Sequence, residues 1–160
     1  MSILVTGGTG YIGSHTVVEL LNAGNEVIIV DNLSNSKPCV LDRIEKITGK
    51  RPIFIECELC NLNEIEKVFC DYPDIDSVIH FAGLKAVGES CSLPIKYYFN
   101  NLTSTLNLLE CMKNHNVNRI VFSSSATVYG LPKTVLIKED FPLSTTNPYG
   151  ETNLRIERIL

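Results

Sequence analysis

Five apolar runs rich in β-branched residues punctuate the chain: Ile3 to Thr6, Val27 to Val30, Ile53 to Cys57, Ser77 to Phe81 and Ile120 to Ser123. They lack strict alternation of polar and apolar positions, as strands covered on both faces do. Helix-like segments separate them. Between the first two runs, Val17, Val18, Leu20 and Leu21 give residues 11–23 an apolar side, and Gly24 supplies a left-handed stop. After the third run, Asn61 with Glu64 predicts a reciprocal N-terminal cap, and Ile65, Val68 and Phe69 mark an apolar stripe. After the fourth, Pro94 suits the first turn of a long helix towards Asn114, along which Leu102, Leu106 and Leu109 recur at helical spacing. The alternation predicts an α/β fold with a parallel sheet. Right-handed crossovers would give it the strand order 3-2-1-4-5, with helices on its faces.

Composition narrows the class. With 160 residues, 44% hydrophobic and 20% charged, the chain suits one domain over residues 1–160 that buries roughly two thirds of its unfolded surface. A formal charge of -4 provides no positive field for phosphate backbones or anionic lipid, so nucleic acid and membrane are not expected partners. The apolar runs are far shorter than the roughly 20 residues of a membrane span. Residues 1–6 read directly as a strand rather than as a secretory signal, which places the protein in the cytoplasm. The six cysteines are accordingly expected to be reduced thiols. Cys57 and Cys60 have CxxC spacing, but no second pair or nearby histidine completes four ligands, and no metal is expected.

The candidate chemistry starts at Gly7-Gly8-Thr9-Gly10-Tyr11-Ile12-Gly13, which contains GxGxxG and the overlapping GxxGxxG between a strand and a helix. Glycines there permit a tight turn and close backbone approach, while the helix N-terminus offers free amides to a pyrophosphate. Asp31 ends the second strand, where a carboxylate accepts hydrogen bonds from an adenosine ribose and repels a 2′-phosphate. Together they predict a Rossmann-type, NAD-binding domain that prefers NAD over NADP.

Longer stretches carry a more specific signal: residues 6–15, Asp31-Asn32-Leu33, His80 through Ser90, and Ser123-Ser124-Ser125-Ala126-Thr127-Val128-Tyr129-Gly130. In order along essentially the whole chain, they resemble the UDP-glucose 4-epimerases of the extended short-chain dehydrogenase/reductase superfamily. The resemblance implies interconversion of UDP-galactose and UDP-glucose through a 4-keto intermediate with bound NAD, an isomerase of galactose metabolism. It assigns Tyr149 as the base that takes the sugar hydroxyl proton and Ser125 as the hydroxyl that orients the same oxygen. For the cofactor it implies Gly7, Gly10, Tyr11, Ile12, Gly13, Asp31, Asn32, Glu58, Leu59, Phe81, Ala82, Gly83, Lys85, Asn100, Ser123 and Tyr149. Read without the family, Ser123 to Ser125 is a cap or turn after a strand, Asn100 a helix cap or bend, and Lys85 a solvated charge.

The chain departs from the family pattern in three places. Asn153 stands where YxxxK would put lysine, four residues after Tyr149, and a neutral amide cannot supply an ammonium's stabilisation of phenolate. Arg155, six residues on, faces another part of the helix. Glu58 replaces the usual aspartate near adenine. Family enzymes also continue past the length of this chain, so the expectation is a Rossmann domain incomplete at its C-terminal end, without the substrate domain and inactive alone. A homodimer or a complementing C-terminal fragment would be its partner. Two other readings stand beside this one: a non-catalytic NAD-binding or interaction module, and part of a sugar-nucleotide dehydratase or decarboxylase.

Overall fold

The five apolar runs form one parallel sheet in a computed structural model that describes residues 1–132, 134 and 136–160. Its strands are β1 (Ser2–Thr6), β2 (Glu26–Asp31), β3 (Ile53–Glu56), β4 (Ile75–His80) and β5 (Ile120–Phe122), in the order β3-β2-β1-β4-β5. This is the expected order. The third, fourth and fifth strands stop one residue early, since Cys57, Phe81 and Ser123 each donate only a last amide, to Asp31, Thr6 and His80, before the chain leaves the ladder, and the fourth starts two residues earlier than expected, at Ile75. Among the described residues, six α-helices lie between and after the strands: α1 (Tyr11–Asn22), α2 (Cys39–Thr48), α3 (Leu62–Asp71), α4 (Val87–Ser92), α5 (Pro94–Asn114) and α6 (Pro148–Ile159).

Two compact units make up the chain, Met1–Ala82 with Leu106–Ser123, and Gly83–Thr105 with Ser124–Leu160. In the first unit the strand period of two divides the core. Leu4, Ile28, Val30 and Val78 point to one face, against Ile65, Phe69, Leu108 and Met112. Val5, Val27 and Ile29 point to the other, against Val17, Leu21, Leu41 and Ile44. Both faces are therefore apolar, which explains the runs without alternation. The buried pair Thr6 and His80 are register partners at the carboxyl ends of β1 and β4, their side chains 2.6 Å apart.

Helix α1 ends as the sequence predicts, with Gly24 left-handed at φ 87. The reciprocal cap at α3 takes a different form. Asn61 accepts from the Asn63 amide and donates its own side-chain amide to Glu64, while Glu64 accepts from Glu58 N at 2.8 Å. The Asn61 amide is already bonded to the Glu58 carbonyl, so the carboxylate reaches the amide further back.

In the second unit, α6 packs on α4 and on a short 3-10 helix, Ala126–Tyr129. Gly150 makes the latter contact close, because a Cβ there would lie 2.9 Å from the Thr127 carbonyl. None of the six cysteines is paired in a disulfide. Among the described residues, no helix is long and apolar enough to cross a membrane.

Candidate functional site

The glycine turn joins β1 to α1 in a shape that side chains would block. Gly7 is left-handed at φ 67, and a Cβ on it would lie 2.8 Å from the Ala82 amide nitrogen. A Cβ on Gly13 would come within 2.3 Å of the Gly7 carbonyl, so helix and turn can pack this closely only with glycine there. Gly10 is the N-cap of α1, and among the described residues no side chain caps this helix and no acid lies in its first turn. The amides of Tyr11, Ile12 and Gly13 thus begin a helix whose positive end has not been neutralised. Tyr11 and Ile12 expose their side chains, which leaves their backbone to form the floor of the turn.

Asp31, half-buried at the end of β2, accepts from the Thr9 amide at 3.1 Å, the Leu33 amide at 2.9 Å and the Ser36 hydroxyl at 3.3 Å. Three donors leave about one of the four carboxylate lone-pair directions for a further hydroxyl. Beside it, Asn32 donates to Glu58 at 2.7 Å, and the other Glu58 oxygen accepts from the Cys60 amide at 2.9 Å. Desolvation raises the Glu58 pKa, but the bonds from Cys60 and Asn32 outweigh it and hold the carboxyl below its ordinary value. The longer glutamate is thereby anchored at the sheet edge. Leu59 is a core residue, 6% exposed, whose carbonyl accepts from Asn107, so its buried side chain faces the core. Phe81 and Ala82 follow β4, their amides donating to the Thr6 carbonyl and hydroxyl. Ser123 is half-buried, its amide on the His80 carbonyl. A glycine turn without an acid in front of it, and a carboxylate with spare acceptor capacity at the end of β2, fit a dinucleotide.

In the second unit, Gly83 adopts φ 156 and packs beside Asn101, a buried residue that the sequence pattern did not single out. Asn101 accepts from the Leu84 amide at 2.8 Å and from the Asn100 side chain at 3.0 Å. It also donates to the Leu84 carbonyl and to the Thr152 hydroxyl, each at 3.1 Å. It thus joins the loop after Gly83 to α6, with Asn100 leaning on it. Only the helical phase of α5 decides which of two adjacent asparagines points inward. Lys85 is exposed, yet partial desolvation of its ammonium lowers its pKa.

Ser125 caps the 3-10 helix, its Oγ accepting from the Thr127 amide at 3.2 Å and the Thr127 hydroxyl at 2.9 Å. That is the capping role the residue pattern alone suggests, and it leaves the Ser125 hydroxyl hydrogen free to donate. Through Thr127 against Gly150, Ser125 and Tyr149 belong to adjoining segments. Tyr149 is half-buried, its amide bonded to the Ser90 hydroxyl at 3.2 Å. Its carbonyl accepts from Thr152 at 2.7 Å and from the side chain of Asn153 at 2.9 Å. Asn153 is 5% exposed, and Arg155 is ion-paired with Glu151 at 2.6 Å.

The fold and the turn define a dinucleotide-binding α/β protein. Residues 3–160 match the model of the NAD dependent epimerase/dehydratase family, and the chain belongs to that family. It is 59% identical over 160 residues to the UDP-glucose 4-epimerase of Bacillus subtilis, a match covering 100% of this chain and 47% of the relative. It is also 59% identical, over 158 residues, to that of Dictyostelium discoideum, covering 99% of this chain and 46% of the relative. Among solved structures, the UDP-glucose 4-epimerase of Bifidobacterium longum in complex with NAD+ and UDP superposes with a TM-score of 0.96 at 55% identity. That match covers 99% of this chain and 48% of the other. The chain spans about half the length of the curated relatives it matches.

Proposed function

We propose that this chain is the cofactor-binding and proton-transfer half of a UDP-glucose 4-epimerase, which interconverts UDP-galactose and UDP-glucose through a 4-keto sugar. The observation that carries the reading is the glycine turn, with its uncapped, acid-free α1 N-terminus and with Asp31 at the end of β2. The 59% identity to UDP-glucose 4-epimerases narrows the chemistry from NAD binding to this reaction.

In this reading the turn and the amides of Tyr11, Ile12 and Gly13 hold the pyrophosphate, and Asp31 accepts from the adenosine ribose. Asn32, Glu58 and the Leu59 backbone border the adenine. Phe81, Ala82, Gly83, Lys85, Asn100 and Ser123 serve the rest of the cofactor. Bound NAD would supply a reversible hydride acceptor for C4 of the sugar. Tyr149 removes the proton of the 4-hydroxyl and returns it, and Ser125 donates to the same oxygen and fixes its orientation. Asn153 orients Tyr149 through the helix backbone and adds no charge. Because the chain matches about half the length of its relatives, we assign the sugar-nucleotide contacts to the remaining half, and these 160 residues alone turn over no substrate. Ile95 and Phe99, four residues apart on α5 and both exposed, offer an apolar face for a homodimer. Sedimentation of Phe99→Lys beside the unchanged chain tests that association, and an identical distribution argues against it.

The function is tested by joining the chain to the C-terminal half of the Bacillus subtilis relative and following conversion of UDP-galactose to UDP-glucose. Conversion that falls at least about a hundredfold in Tyr149→Phe supports the reading. A folded, NAD-binding chimera without conversion, even after Asn153→Lys, leaves only a nucleotide-binding module.

A further inference from the structure

Away from the glycine turn, Glu66, Cys70 and His115 bring three potential ligand atoms within 4.8 Å of one another in the first unit. We propose that these side chains form a binding site for a borderline-soft divalent cation of the Zn2+ type. The sequence gives no hint of it, since its CxxC pair lies elsewhere and the third ligand here comes from a distant segment.

The arrangement rests on two helices. Glu66 and Cys70 are four residues apart on α3 and so share one face. His115 follows the last residue of α5, its amide bonded to the Cys111 carbonyl at 3.0 Å. Asn116 next to it is left-handed at φ 59 and turns the chain away. The imidazole packs against the Phe69 ring, with centroids 5.5 Å apart, and its Nε2 lies 2.9 Å from Glu66 Oε1. The thiol of the buried Cys111 also bonds to the Glu66 carboxylate. One carboxylate oxygen, one sulfur and one imidazole nitrogen suit zinc, whereas calcium and magnesium require oxygen ligands throughout.

The geometry is close to what the ion needs. Tetrahedral zinc bonds of about 2.0–2.3 Å put neighbouring ligand atoms about 3.3–3.6 Å apart. The Glu66–His115 pair at 2.9 Å must open slightly, and the longest separation, within 4.8 Å, must close by no more than roughly 1.2 Å. Cys70 is exposed, so its side chain can make that movement. On binding, the Cys70 thiol releases its proton to solvent and the sulfur donates an electron pair. His115 binds through Nε2 as a neutral imidazole, its ring proton moving by exchange with solvent to Nδ1, and water takes the fourth position. Cys111, buried against Glu66, orients the carboxylate from behind.

The test titrates the reduced protein with Co2+, whose thiolate charge-transfer absorption reports a bound sulfur, and then displaces it with Zn2+. We expect about one equivalent, a band lost in Cys70→Ser, and binding at least about tenfold weaker in both His115→Ala and Glu66→Gln. Cys39→Ser, which changes another exposed thiol, should leave the titration unchanged. Thermal melts without metal confirm that the variants are folded, and the conservative Glu66→Gln keeps the test open if His115→Ala is not. A band that persists in Cys70→Ser, unaltered affinity in folded His115→Ala or Glu66→Gln, or no stoichiometric binding overturns the proposal.

Discussion

The side-chain amide of Asn153 donates to the backbone carbonyl of Tyr149 at 2.9 Å, folding back along its own helix. Where the resemblance to the epimerases implies a lysine, this chain therefore has a neutral, buried group committed to the backbone of the tyrosine. Arg155 does not make up for the missing charge, because it is paired with Glu151.

Restoring that charge should restore rate. In a chimera carrying the C-terminal half of a relative, Asn153→Lys is expected to raise conversion of UDP-galactose by more than about tenfold, through stabilisation of the phenolate. Initial rates at saturating substrate measure it. An unchanged rate would show that Asn153 is not what limits the chemistry.

The chain should bind NAD at least about tenfold more tightly than NADP, because in the proposed site a 2′-phosphate would meet the Asp31 carboxylate in place of a ribose hydroxyl. Calorimetry with both nucleotides decides the point. Asp31→Ala should weaken NAD and narrow the preference, and equal binding of the two by the unchanged chain would refute the assignment.

Gly13→Ala should abolish detectable nucleotide binding and destabilise the fold by about 1–3 kcal/mol. The added Cβ would sit 2.3 Å from the Gly7 carbonyl, forcing α1 away from the turn. Urea unfolding and nucleotide titration check the two effects, and native stability in the variant would contradict the packing argument.

Glu58 gives the protein a predictable acid dependence. Its folded-state pKa lies below the ordinary value of 4.5, so its contribution to stability is present above that pH and is lost as pH falls through the folded value. Against Glu58→Gln, the unchanged chain should melt at higher temperature near neutrality, with the gap closing below about pH 4.5. A gap that stays constant with pH would assign the difference to something other than the charge.

The sequence by itself determined the layout. Apolar runs of β-branched residues separated by helical spacings can be satisfied only by a sheet buried on both faces, and glycines placed between strand and helix leave room for backbone alone. Hence the sheet order, the first and fifth helices and the glycine turn were all legible. The cap at Asn61 was legible only as a location, because which amide Glu64 meets depends on where the Glu58 carbonyl already points. Tertiary structure alone decided the rest. Adjacent Asn100 and Asn101 are indistinguishable as letters, and the rotation of α5 buries the second to join Leu84 to Thr152. Leu59, a cofactor candidate by position, is also a core residue, because its side chain falls on the inner face after β3. Glu66, Cys70 and His115 meet because α3 and the end of α5 pack on the same sheet face, a proximity set by folding across dozens of residues rather than by any spacing along the chain.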